Sequence, residues 1–226
     1  MRPGLLYVVA TPIGNIEDIS YRAVSILKDV DFIISEDTRE TGKLLARYSI
    51  KSEQMSYRDQ NHNRVYPKIL NSLLNGQTAA LVTDSGTPAI SDPGYKLIKE
   101  LQNNNIRLRP VPGPVAFTAA ISVSGLPTDK VAFLGFLPKS TGQKIEILKK
   151  YGDLDCTLAI YESPYRVKKL LEVLSKTLGN RTVCLARELT KLNEEIVTSD
   201  LETLLSSNIK ITEKGEFVVL VAKEGI

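Results

Sequence analysis

Short apolar runs that alternate with amphipathic helical patterns constrain the fold of this 226-residue chain more than any other feature. The runs contain few polar residues, whereas a strand with one solvent-facing side alternates apolar and polar positions. Apolar residues at helical spacing follow, for example Ala23, Leu27 and Val30. Because such strands are buried on both faces, the pattern predicts a parallel sheet covered by helices. The strands predicted in this first half are residues 5–10, 31–35, 53–57, 79–82 and 106–111, with 53–57 the weakest.

A segment rich in proline and glycine, around residues 113–118, interrupts this pattern. Further strand and helix signals follow it, so the length and the pattern predict two α/β domains, 1–115 and 116–226. Pro114 is suited to open a helix there. The strands predicted in the second half are residues 130–138, 157–162, 183–188 and 215–223.

Four of the predicted strands in the first half run into unusually elaborate loops, at residues 11–15, 36–39, 83–94 and 112–117. The carboxyl ends of parallel strands share one edge of a sheet, so these loops should converge on one ligand site. Their glycines and prolines allow bare backbone to approach a ligand closely. Neither the P-loop motif nor Gly-x-Gly-x-x-Gly occurs, which disfavours a triphosphate or a dinucleotide. Short polar side chains in these loops are Thr11, Asn15, Ser85, Thr87 and Ser91.

The composition excludes several classes of protein. With a formal net charge of +3, the chain is only mildly basic, which neither demands nor excludes a nucleic-acid partner. Cys156 and Cys184 are predicted to be buried thiols, and one histidine with two scattered cysteines does not supply the usual zinc ligands. His62, in a polar stretch, is predicted to be a solvated loop residue. No run reaches the roughly 18 apolar residues of a membrane span, and the first strand is too short for a signal peptide, so we expect a cytoplasmic protein.

Seven ordered motifs, spread from about Leu5 to Ala222, resemble those of the small-subunit ribosomal RNA methyltransferase I branch of the tetrapyrrole-type (class III) methyltransferases. The resemblance implies two α/β domains, the second with a mixed sheet, and S-adenosylmethionine bound in the cleft between them. It implies a homodimer that methylates the 2′-hydroxyl of a cytidine in small-subunit ribosomal RNA, either free or in the assembled subunit. The motifs are YVVATPIGNIEDIS, EDTRETGKLL, TDSGTPAISDPG, PVPGPVA, SGLPTDKVAFLGFLP, YESPYR and ARELTKLNEEI.

Carried over residue by residue, the resemblance also implies cofactor contacts, and these positions lie in both halves of the chain. Many tetrapyrrole methylases have the sequence Gly-x-Gly-x-Gly-Asp in the first loop, of which this chain keeps only Gly14. Many also have Gly-Gly-Asp at the position where this chain has Ser85-Gly86-Thr87. Both differences from the tetrapyrrole methylases are typical of the RNA methyltransferase branch. Many members of that branch continue into a small helical module beyond the point where this sequence ends. The implied cofactor contacts are Pro12, Ser85, Gly86, Thr87, Ile90, Val115, Ala116, Tyr161 and Leu189.

A ribose hydroxyl is a poor nucleophile until its proton leaves, so this reaction predicts a positioned base and requires no metal. We predict Glu36 or Asp37 as that base, with Arg39 positioning a phosphate. The two acids could instead pair with Arg39 or cap the following helix. Three other carboxylates, Asp84, Asp92 and Glu188, are further candidates, although the two aspartates also suit turn positions.

Basic residues near the second-half motifs form a further set of candidates. Arg187 and Lys191 bracket Glu188 and could hold RNA. The charged helix RVKKLLEVLSK, which begins with the last residue of YESPYR, is predicted to present a solvated face, although Arg166, Lys168 and Lys169 could add phosphate contacts.

Three alternatives remain open. A class III methyltransferase could act on a small molecule such as a tetrapyrrole precursor. A non-catalytic RNA-binding assembly factor could keep the same fold. A nucleotide-phosphate binder is disfavoured because the P-loop is missing.

Overall fold

The computed structural model describes residues 4–206, 212 and 214–226. The chain divides into two compact units, Met1–Val115 and Ala116–Ile226, called here the N-terminal and the C-terminal unit. Each unit contains one five-stranded sheet.

The N-terminal unit has a parallel sheet with the strand order β3-β2-β4-β1-β5. Each strand coincides with a run that the sequence analysis predicted, and the predicted parallel α/β architecture is confirmed. The weakest run forms β3 at the edge of the sheet, where its side chains are only partly buried or exposed. The strands are β1 (Leu5–Val9), β2 (Phe32–Ser35), β3 (Glu53–Ser56), β4 (Thr78–Val82) and β5 (Arg107–Val111).

Helices cover both faces of this sheet. Successive residues of a strand point to opposite faces, so Ile33 packs into one apolar cluster and Ile34 into the other. This arrangement explains why the strand sequences lack polar alternation. The first helix starts where expected, because the Ser20 side chain accepts a hydrogen bond from the Ala23 backbone N–H. The helices are α1 (Tyr21–Asp29), α2 (Thr38–Arg47), α3 (His62–Leu74) and α4 (Tyr95–Asn103).

The C-terminal unit has a mixed sheet with the strand order β6-β7-β10-β8-β9. β6 and β7 are parallel, whereas β10 pairs antiparallel with both β7 and β8. The mixed sheet that the resemblance implied is therefore confirmed. β9 was not predicted; it is an edge strand of sequence EIVTSD, and its residues are all exposed or only partly buried. The strands are β6 (Val131–Phe136), β7 (Thr157–Glu162), β8 (Thr182–Arg187), β9 (Glu195–Asp200) and β10 (Phe217–Val221).

The described residues of the C-terminal unit also form the helices α5 (Ala116–Val123), α6 (Thr141–Gly152), α7 (Val167–Leu178) and α8 (Leu201–Leu205). α5 begins two residues after Pro114, which the sequence analysis had placed at its start. A single apolar cluster joins the inner faces of α6, α7 and α8 to the sheet. Both cysteines are buried free thiols. No helix in the described part of the chain is long and apolar enough to cross a membrane.

Candidate active site

The loops at the carboxyl edge of the N-terminal sheet hold most of the predicted site residues. We number each loop after the strand it follows. They are loop 1 (residues 10–15), loop 2 (36–37), loop 3 (57–58), loop 4 (83–94) and loop 5 (112–115).

Loops 1 and 4 are joined by a short antiparallel bridge. The Thr11 backbone N–H donates to the Gly86 carbonyl at 2.8 Å, and the Gly86 N–H donates to the Thr11 carbonyl at 3.2 Å. The buried hydroxyl of Thr11 also donates to the Thr83 carbonyl at 3.1 Å. Pro12, Ser85 and Gly86, three of the predicted cofactor contacts, are therefore held side by side.

Loop 5 closes against the same two loops. The Thr87 hydroxyl donates to the Pro114 carbonyl at 3.2 Å, which places Thr87 beside the segment that contains Val115. At Gly113 a Cβ atom would lie 2.9 Å from the Ala10 Cβ, so only glycine allows loops 1 and 5 this approach. Loops 1, 4 and 5 thus form one continuous wall of backbone and small side chains.

Loop 4 maintains an unusual backbone conformation. Ala89 and Ser91 have φ angles of 68° and 64°, in the left-handed region that side chains other than glycine rarely adopt. A hydrogen bond from the Ala89 N–H to the Pro93 carbonyl, at 3.3 Å, closes the loop around them. Such strain persists only where surrounding structure enforces it, and it is concentrated at functional sites. The predicted contact Ile90 lies between these two residues, with a partly exposed side chain.

Loop 2 and loop 4 follow the neighbouring strands β2 and β4. The chain leaves these two strands in opposite directions. β2 leads towards β3 at one edge and β4 leads towards β5 at the other, so a crevice opens between β2 and β4. Across it, the Asp37 backbone N–H donates to the Asp84 carboxylate at 3.0 Å. The Asp84 N–H lies 3.5 Å from the Glu36 carboxylate. Three carboxylates are therefore gathered at the position where open α/β sheets bind ligands.

Asp37 has partners that make it a poor base. Its carboxylate caps α2 by accepting from the Arg39 N–H at 2.9 Å, and it also accepts two hydrogen bonds from the Arg39 guanidinium. These hydrogen bonds, assisted by the arginine charge, lower the pKa of Asp37. Arg39 remains largely exposed, so its other N–H groups stay open to an anion.

Glu36 has the opposite environment. Partial burial raises the pKa of its carboxyl group, and the negative charge of Asp84 raises it further. Burial likewise raises the pKa of Asp84. A carboxylate whose pKa is raised above its ordinary value is better suited to accept a proton in catalysis. The structure thus separates two adjacent acids that the sequence analysis left as equal candidates, and it favours Glu36.

Arg58 in loop 3 belongs to this group and was missed by the sequence analysis. Its Nε donates to the Glu36 carbonyl at 3.1 Å, and Nη2 donates to the Asp37 carboxylate at 3.3 Å. About half of its side chain is exposed, 51%, so it retains donors for a further ligand. The only signal in the sequence was its position directly after a predicted strand, since no glycine or proline marks loop 3.

The prediction that His62 is a solvated loop residue is wrong. His62 begins α3 and is buried, because helical spacing places it on the same stripe as the buried Val65 and Ile69. Its Nδ1 lies 2.8 Å from the Tyr57 hydroxyl, and its Nε2 lies 3.0 Å from the Glu100 carboxylate. His62 therefore stabilises loop 3 through its hydrogen bond with Tyr57.

In the C-terminal unit, two predicted cofactor contacts lie together. The Tyr161 hydroxyl accepts a hydrogen bond from the Phe117 backbone N–H at 3.2 Å, which places it at the start of α5 beside Ala116. Phe133 stacks on Phe117, with ring centroids 4.5 Å apart, and contacts Tyr161 edge-on at 5.0 Å. Aromatic packing therefore fixes the Tyr161 ring.

Leu189, the third predicted cofactor contact in the C-terminal unit, is buried just beyond the end of β8. β10 aligns Phe217 with both Glu162 and Arg187, so the carboxyl ends of β7 and β8 lie level at the same edge of the sheet. Leu189 and Tyr161 therefore belong to the same edge.

The two residues that flank Leu189 are held by an ion pair at Glu188 and by a hydrogen bond from the Thr190 N–H to the Glu194 carboxylate at 2.6 Å. Glu188 and Thr190 have left-handed φ angles of 50° and 64°. Lys191 contacts the Glu188 carboxylate at 2.9 Å, and this hydrogen bond lowers the pKa of Glu188, so Glu188 is a weak candidate for the base. Arg187 likewise pairs with Glu195 at 3.0 Å, so both cations that were predicted to hold RNA already have acidic partners. The remaining candidate base, Asp92, lies inside loop 4 and is partly buried.

No group of three or more His, Cys, Asp or Glu side chains within the described residues is arranged to hold a metal ion.

Comparison with known proteins identifies the family. Residues 5–205 match the family described as Tetrapyrrole (Corrin/Porphyrin) Methylases. The chain belongs to this family. This tetrapyrrole methylase is 43% identical over 222 residues to a Halalkalibacterium halodurans protein named ribosomal RNA small subunit methyltransferase I. The alignment covers 98% of this chain and 77% of that protein. A Synechocystis protein of the same name is 42% identical, covering 97% and 79%.

Solved structures agree on the fold of this tetrapyrrole methylase. The methyltransferase CobJ superposes with a TM-score of 0.73 at 18% identity, covering 98% of this chain and 95% of that chain. Cobalt precorrin-4 methyltransferase, a cobalamin biosynthetic enzyme, gives a TM-score of 0.67 at 18% identity, covering 96% and 94%. At such low identity the likeness shows the fold alone. The family confirms that the chain is a methyltransferase.

Proposed function

We propose that this tetrapyrrole methylase transfers a methyl group from S-adenosylmethionine to the 2′-hydroxyl of a cytidine ribose in small-subunit ribosomal RNA. One observation carries the chemistry. A strained wall formed by loops 1, 4 and 5 lies on the same sheet edge as a carboxylate with a raised pKa, Glu36. The names of the relatives that match nearly the whole chain support ribosomal RNA as the substrate.

The wall suits a sulfonium nucleoside. Loops 1, 4 and 5 contain no lysine, arginine or histidine, so they offer backbone groups and hydroxyls and no cation that would repel a positive sulfur. We propose that the cofactor is held by Pro12, Ser85, Gly86, Thr87, Ile90 and Val115 of the N-terminal unit and by Ala116, Tyr161 and Leu189 of the C-terminal unit. When bound, S-adenosylmethionine supplies a methyl group on a sulfur that leaves as a neutral thioether.

Glu36 acts as the general base in this proposal. Its carboxylate would accept the proton of the ribose 2′-hydroxyl, so that this oxygen could take the methyl group that bound S-adenosylmethionine would supply. Positioned bases of this kind contribute about 10²- to 10⁴-fold to a rate. Asp37 holds Arg39 and Arg58 in place, and we propose that Arg39 binds a phosphate next to the target ribose.

The decisive experiment incubates the purified protein with radiolabelled S-adenosylmethionine and small ribosomal subunits from cells that lack this protein. We expect one ribose methyl group per subunit, mapped to a cytidine by nuclease digestion and mass spectrometry. A parallel reaction contains uroporphyrinogen. Label in the porphyrin alone would refute the RNA substrate, and subunit binding without methyl transfer would indicate a non-catalytic assembly factor.

We also propose that the protein works as a homodimer in the cytoplasm, which the resemblance to the RNA branch supports. Light scattering coupled to gel filtration tests the assembly. A mass equal to twice that of one chain is expected, and a monomer at assay concentrations would contradict it.

A further inference from the structure

A second candidate site lies in the C-terminal unit and begins with a buried acid. Glu162, the last residue of β7, is fully buried, and a buried carboxylate is costly unless it is paired and hydrogen-bonded. Its Oε1 accepts from the Ser163 backbone N–H at 2.9 Å. The ammonium group of Lys144, also buried, lies 3.3 Å from Oε2, and the Arg166 guanidinium is bound at Oε1.

The charges of this cluster do not balance. Lys144 alone would neutralise Glu162, so Arg166 adds a surplus positive charge. Its guanidinium is held in one orientation, because Nη2 binds Glu162 and Nε donates to the Ser163 hydroxyl at 3.1 Å. Its side chain is 28% exposed, which leaves part of the guanidinium accessible. An arginine that is fixed from behind by a carboxylate and open in front is pre-organised for phosphate.

The residue before Arg166 in the sequence, Tyr165, carries an exposed aromatic ring. Tyr165 is 85% exposed, whereas the ring of Tyr161, on the same strand end, is packed between phenylalanines. Proteins recognise unpaired RNA by stacking bases on aromatic side chains beside cations that hold the backbone. Lys168 and Lys169, in the first turn of α7, add positive charge nearby.

We propose that Tyr165 and Arg166 form an RNA contact outside the methyl-transfer centre, in which Arg166 binds a backbone phosphate and Tyr165 stacks on an unpaired base. This inference rests on the proposed function, since it assigns that substrate a second point of attachment. The arginine at the start of this helix is bound to a buried acid, so it differs from the freely solvated surface charge that the sequence predicted for this face.

The test measures methyl transfer to unmethylated small subunits, with KM for subunits, KM for S-adenosylmethionine and kcat determined separately. Tyr165→Ala is expected to raise KM for subunits roughly 5- to 150-fold, the range of one base stacked on an aromatic ring, and Tyr165→Phe to leave it near the wild-type value. For Arg166→Ala, the dependence of log KM on log salt concentration should lose a slope of about 0.7 to 0.9, which corresponds to one phosphate contact. KM for S-adenosylmethionine should not change.

The chain contains a matched control. Tyr21 and Arg22 repeat the same dipeptide at the start of α1, where Tyr21 is 99% exposed and Arg22 is exposed. Alanine substitutions there should leave KM for subunits unchanged. Circular dichroism checks the fold, and Tyr165→Ala alone still decides the matter if Arg166→Ala does not fold.

Three results would overturn the inference. The first is that the Tyr165 and Arg166 variants have the same KM for subunits as the Tyr21 and Arg22 controls, and the second is that KM for S-adenosylmethionine rises as much as KM for subunits. The third is that Tyr165→Ala converts a dimer into a monomer, which would show that a second copy covers the ring. If wild-type protein methylates no subunits, the proposed function itself fails. If wild-type methylates them and the variants do so equally well, only the second contact is refuted.

Discussion

Gly113→Ala provides a direct test of the wall formed by loops 1, 4 and 5. The backbone of Gly113 lies outside the left-handed region, so alanine introduces no backbone strain there. The new Cβ would lie 2.9 Å from the Ala10 Cβ, and its next neighbours, the Ala10 carbonyl atoms, lie at the ordinary distances of 3.5 and 3.8 Å. The whole effect of the substitution should therefore come from one methyl–methyl clash.

The magnitude follows from this geometry. Ordinary contact begins at 3.4 Å, so loops 1 and 5 must separate by roughly half an ångström or more. Overpacking of this kind costs about 1–3 kcal/mol in the free energy of unfolding. The carbonyl that accepts from Thr87 belongs to Pro114, the next residue, so the wall shifts with it. Because misplacement by about 1 Å can lower a rate about 10²-fold, we expect kcat/KM for S-adenosylmethionine to fall by up to that factor.

A second substitution separates this mechanism from general damage to the protein. Ala10→Gly removes the only atom closer than 3.4 Å, so the double variant Ala10→Gly/Gly113→Ala should recover kcat/KM. Its stability need not recover, because Ala10 is buried and its methyl group contributes to the core. Urea unfolding and steady-state kinetics of the two single variants and the double variant give both quantities. A double variant as inactive as Gly113→Ala would refute the reasoning.

Four further substitutions address the catalytic group and the buried cluster. Glu36→Gln should lower kcat about 10²- to 10⁴-fold and leave the affinity for S-adenosylmethionine in calorimetry unchanged. Asp84 is the neighbouring acid whose pKa is also raised, so a larger loss of kcat in Asp84→Asn would contradict the assignment of the base. Arg58→Ala removes a positive charge that lowers the pKa of Glu36, so the acid limb of the profile of kcat/KM against pH should move to higher pH. A limb that does not move would contradict this role of Arg58. Glu162→Gln leaves Lys144 buried without its counter-charge and should cost about 3–5 kcal/mol in urea unfolding; a loss below about 1 kcal/mol would refute the buried pair.

The architecture and the meeting of the loops could be predicted because both depend on local pattern and one topological rule. Ile33 and Ile34 are consecutive and both apolar, which requires cover on both faces of β2 and so favours a parallel sheet. Once the strands are parallel, their carboxyl ends share an edge. Thr11, Gly86 and Pro114 are far apart in sequence and nevertheless meet there.

Features that depend on strand order or on helical phase could not be predicted. Arg58 reaches Glu36 and Asp37 because β3 lies next to β2, and the sequence contains nothing that specifies this neighbour. The burial of His62 depends on α3 starting at that residue, since a start one turn later would leave it in a polar loop. The edge strand β9 lacked a signal because its exposed side chains removed the apolar run by which the other strands were found.

The choice between Glu36 and Asp37 depends on partners, and this leads to a prediction of opposite sign to that for Arg58. Asp37 raises the pKa of Glu36 through its negative charge, and it also engages Arg39 and Arg58. Asp37→Asn removes that charge, while Arg58 keeps its hydrogen bond to the Glu36 carbonyl and asparagine remains a good cap for α2. The pKa of Glu36 should then fall, so the acid limb of kcat/KM should move to lower pH, where Arg58→Ala moves it to higher pH. The two variants remove charges of opposite sign near Glu36, so limbs that shift in the same direction would contradict Glu36 as the titrating group.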